Sequence, residues 1–469
     1  MPRLRLPLLL CLLTFAAWGQ LPPTSSKPWR PPSDPKFRID VDRIPTRGTA
    51  LHADTTYSLA DLVDIAERNN PETRVLWERA KQHAEALGIS RAALFPTLTA
   101  VASASVNQYS LFNGKFNHEN TTLFPASLNL TYTVFDFGAR NSRIDAAKAN
   151  LLAADFAFNN THRSVAFHVA ESYYRVLDTI SREESARAAL ADAQTVREAV
   201  ETRLSSGLAT LPDALQARAA AAEAQYELAS EEGSLETAHG DLATVLGVSP
   251  TSSFRVQEEP SVPALDEETV QAILDRALKQ RPDLLAQLAH LKSTEAAIQQ
   301  AHSAFDPTFS FSGSWGHNYA IGQQKGGPEL HSQIYPYQAQ FTLAWTVFDG
   351  NARTHEVRRA QAESEEARQQ AASTRNQIEN EIWASYSRLK TARQQMDAAE
   401  ALLAAADQSY SSAFEAFQAG VRTFIDVSSA QKTLAQARSR QVAARIRVLM
   451  STADLAYRAA DPIPGGSHL

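Results

Sequence analysis

Two periodicities alternate along the chain, and each sequence of elements occurs twice. Over residues 58–94 apolar positions recur at helical spacing, with Leu59, Leu62, Val63, Ala66, Val75 and Leu76 on one side. Pro71 falls early in this stretch and predicts a kink or two pieces, and Phe95-Pro96 ends it. The period then drops to two. Leu98, Ala100, Ala102, Ala104 and Val106 alternate with Thr97, Thr99, Ser103, Ser105 and Asn107. A polar loop holding Asn113-Gly114 follows, and then Ala126, Leu128, Leu130, Tyr132 and Val134 alternate with Ser127, Asn129, Thr131 and Thr133. The expected strands are about 97–109 and 123–135. Helical spacing returns over 139–206 and, after a glycine-bearing turn, over 211–246.

The second copy keeps this order. Asn70-Pro71-Glu72 recurs as Arg281-Pro282-Asp283, Thr133-Val134-Phe135-Asp136 as Thr346-Val347-Phe348-Asp349, and Gly207 and Asp213 as Gly420 and Asp426. Register held this far marks a duplicated unit, spanning roughly 57–248 and 266–460. Its strands are expected at about 308–318 and 335–348, its long helix at 350–419, and its shorter helices at 270–305 and 423–460. The Pro- and Glu-rich segment 249–265 reads as a linker, 20–56 as an irregular tail, and 461–469 as a C-terminal tail.

The helix lengths carry an architectural argument. About 70 residues make roughly 100 Å of helix, and the return helices make about half that. A return helix stacked end to end on a pre-strand helix would match one long helix. Alanine, leucine and valine stripes such as Ala186, Ala189, Ala193, Val196 and Val200 predict close, coiled-coil-like packing.

The strands have the length and alternation of a tilted membrane-barrel wall, although a half-buried soluble sheet has the same pattern. Four strands cannot close a barrel, and an open edge cannot face lipid. Two chains would give eight strands around a plugged interior; three would give twelve and leave a lumen.

The N-terminus sharpens this picture. Arg3 and Arg5 precede an apolar run, Leu4 to Ala17, that is short for a bilayer span, and Ala17-Trp18-Gly19 offers a cleavage site. Residues 1–19 therefore read as a signal peptide, with a short anchor as the alternative. Cys11, the single cysteine, lies inside this run, and Leu10 stands where a lipidation signal needs a small residue. The formal net charge of −7 argues against nucleic acid as a partner. Enzyme motifs and a metal or cofactor cluster are not found; the histidines, such as His162, His168, His239 and His317, are scattered.

At this point the chain resembles the TolC-like outer-membrane efflux protein family. The residues that carry the likeness are Tyr57-Ser58-Leu59, Asn69-Asn70-Pro71-Glu72, Pro96, Pro307, Phe135-Asp136-Phe137-Gly138 and Phe348-Asp349-Gly350. The most specific are the turns Gly207-Leu208-Ala209-Thr210-Leu211-Pro212-Asp213 and Gly420-Val421-Arg422-Thr423-Phe424-Ile425-Asp426-Val427. The resemblance implies a mainly α chain with a small β part, forming a homotrimer. Its twelve strands would cross the outer membrane and its helical hairpins would form a periplasmic tunnel. It also implies a passive exit duct for a tripartite efflux or type I secretion system. A periplasmic adaptor and an inner-membrane pump or ABC exporter would be the partners.

Carried over by position, the resemblance makes Asp213, Arg422, Asp426 and Phe417 a periplasmic gate. Arg422 pairs with Asp213, Asp426 faces the pore, and Phe417 stands where the family has a tyrosine. Ser429 replaces a second acidic ring. Gly207, Leu208, Thr210, Gly420, Val421 and Thr423 become the adaptor-docking tips, with Thr210 and Thr423 as helix N-caps. A soluble periplasmic coiled-coil adaptor or scaffold is the rival reading, though it would carry one hairpin and separate β domains.

Overall fold

The computed structural model describes residues 51, 55–112, 116–257, 269–324 and 327–464. The signal-peptide reading, nearly all of the 20–56 tail, the Asn113-Gly114 loop, and about half of the linker and of the C-terminal tail lie outside them. Strand β1 is Thr56–Tyr57, followed by helices α1 (Leu59–Asn69) and α2 (Pro71–Ala92). Asn70 sits between the two helices. Its side chain accepts from Glu72 N at 2.8 Å, and Pro71 opens α2, where a missing N–H costs nothing.

Strands β2 (Thr97–Ala102), β3 (Ser105–Phe112) and β4 (Phe116–Phe135) come next, then α3 (Ala139–Ser205) and α4 (Leu211–Val245). After β5 (Arg255–Val256) the order repeats. It runs through α5 (Val270–Gln280), α6 (Pro282–Ser303), β6 (Thr308–Gln324), β7 (Glu329–Ile334), β8 (Tyr337–Ala344), α7 (Ala352–Gln418) and α8 (Phe424–Ala459).

Three details differ from the sequence expectation. The strands run longer: β4 spans 20 residues and β6 spans 17, because pairing continues past the end of the clean alternation. The outer positions are broken, β2 from β3 and β7 from β8. Pro125 has no N–H to give opposite the first break, and Pro336 lies in the second. Each proline still accepts through its carbonyl, from Ser103 N at 3.0 Å and Gly316 N at 2.9 Å. Finally, the tail and linker contribute structure. Thr56–Tyr57 pairs in parallel with Arg255–Val256, and Phe254 and Val256 are buried.

The sheet is antiparallel. β4 and β6 form its centre; β2 and β3 pair with the free side of β4, and β7 and β8 with the free side of β6. The helices continue this order. α3 packs against α2 and α6 on the side near the sheet and against α4 and α8 beyond, while α7 packs against α6 and then α8. Each 67-residue helix thus lies beside a pre-strand helix and then a return helix.

The core is correspondingly divided. Leu62, Val63, Val169, Tyr173, Leu242, Leu246 and Phe254 form one cluster around the short helix α1, and Ile273, Ala277, Ile378, Ile382 and Val448 form its counterpart around α5. A third cluster lies near the far ends of the hairpins.

Candidate functional site

Two regions concentrate features that folding alone does not require: the sheet with its helix junctions, and the paired hairpin tips.

In the sheet, one face collects Leu98, Leu128, Leu130, Trp315, Phe341 and Leu343 through the pairs Leu98–Leu130, Leu128–Trp315 and Phe309–Leu343. The opposite face pairs Ser127 with Gly316, Asn129 with Ser314, Thr131 with Ser312, and Ser312 in turn with Gln340. Leu98, Phe341 and Leu343 are each about two-thirds exposed, so the apolar face has no cover among the described residues. A sheet with one bare apolar face and two unpaired outer strands is incomplete as a soluble object. Among the described residues no helix is long and apolar enough to cross a membrane.

Where strand turns into helix, two matching straps hold the junction. Phe137 and Gly138 in one copy, and Gly350 and Asn351 in the other, take positive φ and reverse the chain. Asp136 Oδ2 then accepts from Arg140 N and Nε, both at 3.0 Å, and Arg140 Nη1 reaches the Ala93 carbonyl at the end of α2 at 3.2 Å. Asp349 and Arg353 repeat the arrangement at 3.2 and 2.7 Å, and Arg353 Nη1 reaches the Ala304 carbonyl at 3.3 Å. A cation on the last carbonyls of a helix is favoured by its dipole. Both arginines went unnoticed in the sequence, although an Asp and an Arg four residues apart after each strand were there to be read.

At the tips, each long helix ends in a Schellman turn. Gly207 and Gly420 adopt φ of 72° and 78°, and Leu208 N and Val421 N reach back to the Arg203 and Ala416 carbonyls at 2.8 and 2.9 Å. Each return helix opens with a capping box. Asp213 Oδ2 accepts from Thr210 N at 3.1 Å and Thr210 Oγ1 at 2.6 Å, while Thr210 Oγ1 accepts from Asp213 N at 3.4 Å. Asp426 and Thr423 do the same at 3.0, 2.9 and 3.4 Å.

These bonds hold the Asp213 carboxyl below the usual carboxylate range. They do the same for Asp426, where the Arg422 charge adds to the effect. Arg422 thus acts on Asp426 through its charge. Among the described residues of one protomer it makes no ion pair with Asp213.

Phe417 is 4% exposed, packed among Val196, Val200, Ala214, Ala217, Phe424 and Val427. Leu208, Val421 and Ile425 are instead strongly exposed at the tip surface. One contact partner of Phe417 was missed in the sequence. Arg203 Nη1, from the last turn of α3, donates to the Phe417 carbonyl, and its guanidinium carbon lies 4.7 Å from the Phe417 ring centre.

Behind the tips, a groove of about 580 Å³ runs between α3, α4 and α8. Its floor is alanine, including Ala186, Ala189 and Ala224. Glu223, Glu227 and Glu231 line one wall, and Lys432 and Arg440 line the other.

Known proteins share this arrangement. The family described as outer membrane efflux protein matches residues 62–248 and 273–457, one match in each copy. Protein CyaE of Bordetella pertussis is 27% identical over 440 residues, covering 92% of this chain and 86% of that protein. The pyoverdine export outer membrane protein OpmQ of Pseudomonas aeruginosa is 26% identical over 415 residues, covering 86% and 84%. The solved outer-membrane channel OprN superposes with a TM-score of 0.76 at 18% identity, covering 88% of this chain and 95% of that one, which shows a shared fold. With a family match in both copies, relatives aligned over most of their length and the same fold in a solved channel, this chain belongs to the outer membrane efflux protein family, as a channel of the outer membrane with periplasmic helices and not as an enzyme.

Proposed function

We propose that three copies of this chain form a passive exit duct for a tripartite efflux or type I secretion system. The observation that carries this reading is the sheet: four strand positions, a bare apolar face and two unpaired outer strands. Lipid would leave the unpaired N–H and C=O groups of β2, β3, β7 and β8 at a cost of several kcal/mol each. Pairing those edges between copies removes the cost, and twelve strands leave a lumen that eight would fill.

The hairpin tips form the periplasmic end and its gate. Asp426 contributes a ring of carboxylates, tempered by Arg422, and Phe417 supports closure by packing. Since Asp213 and Arg422 do not pair within a protomer, their pairing runs between neighbouring copies. An adaptor docks at the exposed tip residues Leu208 and Val421, around the turns set by Gly207, Thr210, Gly420 and Thr423. The alanine-floored groove behind them, acidic on one wall and basic on the other, seats a helix of that adaptor in this reading. The adaptor in turn belongs to an inner-membrane pump or ABC exporter.

The test is assembly and conductance. The mature protein in detergent should run as a heat-modifiable trimer and conduct in planar bilayers. Asp213→Cys with Arg422→Cys should cross-link neighbouring subunits, and Arg422→Glu should raise conductance. A stable detergent-free monomer with its strands folded would refute the reading.

A further inference from the structure

We infer that Arg203 is the positioning residue that holds the second hairpin tip, and Phe417 with it, against the first hairpin. This rests on the gate reading for its functional meaning but on geometry for its content.

Arg203 lies in the last turn of α3, yet its side chain serves the end of α7. Nη1 donates to the Phe417 carbonyl, the guanidinium plane covers the Phe417 ring, and a Cβ added at Gly420 would stand 3.9 Å from Nη2. The Phe417 carbonyl also accepts from Gly420 N at 2.9 Å. Both its lone pairs are thus used, one by its own turn and one by the other hairpin. A helix C-terminus carries carbonyls without intrahelical partners and a negative dipole end, and both favour a cation there. Arg203 is therefore a C-cap supplied in trans, from 214 residues away.

Two further observations separate it from an ordinary surface arginine. Its Nε is buried with no hydrogen-bond partner, and no ion pair with a carboxylate is found for it among the described residues. The charge is thus compensated by a carbonyl and an aromatic ring belonging to α7, and separating the hairpins removes both. The duplicated position on the second hairpin is Ala416, so the first tip has no reciprocal tie. This asymmetry gives the second tip a polar tie, beside its apolar packing, that has no duplicate in the first. A side chain serving only its own helix would instead act on α3.

Hydrogen exchange read by mass spectrometry distinguishes the two roles. In Arg203→Gln trimers, exchange of amides in 415–424 should rise about tenfold, the factor expected from losing one net charge-assisted hydrogen bond, with 196–202 unchanged. Arg203→Lys should restore part of the protection, because it keeps the carbonyl bond and loses the planar stack. Phe417→Leu, which keeps the carbonyl, should give a smaller rise confined to the same segment. Unchanged exchange at 415–424, or an equal rise at 196–202, overturns the inference. If Arg203→Gln does not assemble, Arg203→Lys and Phe417→Leu decide by the same criterion.

Planar-bilayer recordings on the same variants then read the gate. A conducting wild type with no rise in Arg203→Lys or Arg203→Gln removes the link to closure. A wild type that never conducts defeats the channel reading and leaves the exchange result standing.

Discussion

Arg438 Nη1 donates to Asp192 Oδ2 at 2.7 Å, joining the return helix of the second hairpin to the long helix of the first. The other terminal nitrogen of Arg438 lies 4.0 Å from Asp407 Oδ1, so one guanidinium touches three helices. Burial, and then the Asp192 charge, push the neighbouring Tyr410 phenol up to about 12. Both partners of the pair are about a quarter exposed, which places it between a surface bridge and a buried one. A double-mutant cycle of Asp192→Asn and Arg438→Gln should return a coupling of about 1 kcal/mol in thermal unfolding. Strict additivity of the two changes would show that the hairpins do not depend on this bridge.

Two glycines with the same backbone conformation should respond very differently to alanine. Gly207 and Gly247 have φ of 72° and 73°. A Cβ at Gly207 meets open space, so Gly207→Ala carries the left-handed penalty alone, about 1 kcal/mol. A Cβ at Gly247 would stand 2.8 Å from the Asn69 carbonyl oxygen, where backbone must move. That oxygen belongs to the junction at which Asn70 Nδ2 donates to the Val245 carbonyl at 3.2 Å. Gly247→Ala should therefore cost about 3 kcal/mol, seen as a lower melting temperature than that of Gly207→Ala. Equal melting temperatures would contradict the close approach.

These residues also show what the sequence could and could not tell. Element order and nearly all helix boundaries were legible, because apolar period and glycine or threonine punctuation are local signals. Strand length was not: beyond Leu123 the alternation fades, and pairing is set by the partner strand. The repeat aligns Arg281 with Asn70, which caps α2, but the Arg281 side chain makes no cap bond and instead binds Asp283 and Glu381. Arg203, Asp192 and Arg438 carry no local signal, because their partners lie more than 200 residues away. The threonine N-caps were legible, while the part Asp213 and Asp426 play in each capping box, and the action of Arg422 on Asp426, came from the fold.

Glu381 gives a pH-dependent test of the second copy. Its Oε2 accepts from Arg281 Nη1 and Arg458 Nη1, both at 2.9 Å, and Gln377 Nε2 donates to Oε1 at 2.9 Å. Burial raises its pKa, but these bonds, led by Arg281, outweigh it and leave the value below the ordinary 4.5. A depressed carboxylate pKa stabilises the fold above the ordinary value, and the gain is lost as pH falls through the folded one. Glu381→Gln should thus cost about 2 kcal/mol at pH 7, by leaving two arginines short of a carboxylate. The gap between wild type and variant should close as pH drops below 4.5. A gap that persists under acid would assign the loss to packing and not to charge.

Neighbouring residues in β8 test which side of the sheet meets lipid. Gln340 pairs with Ser312 on the hydroxyl- and amide-bearing face, and Phe341 pairs with Phe311 on the apolar face. Among the described residues of β2 to β4 and β6 to β8, Glu119 and Glu329 are the only carboxylates and lysine and arginine are absent. Both glutamates pair at the end of β6 far from the helices, with Gln324 and Gln323. A wall without formal charge in its middle leaves ion preference to other parts of the duct. One lysine per chain on that wall should then dominate it. Gln340→Lys trimers should assemble and shift the reversal potential toward anions under a tenfold KCl gradient, for which ideal selectivity gives about 59 mV. Phe341→Lys should instead lose about 2–4 kcal/mol on insertion at mid-membrane depth and yield few heat-modifiable trimers. The reverse outcome, a selective Phe341→Lys channel and an unassembled Gln340→Lys chain, would turn the sheet inside out and with it the assignment of the lumen.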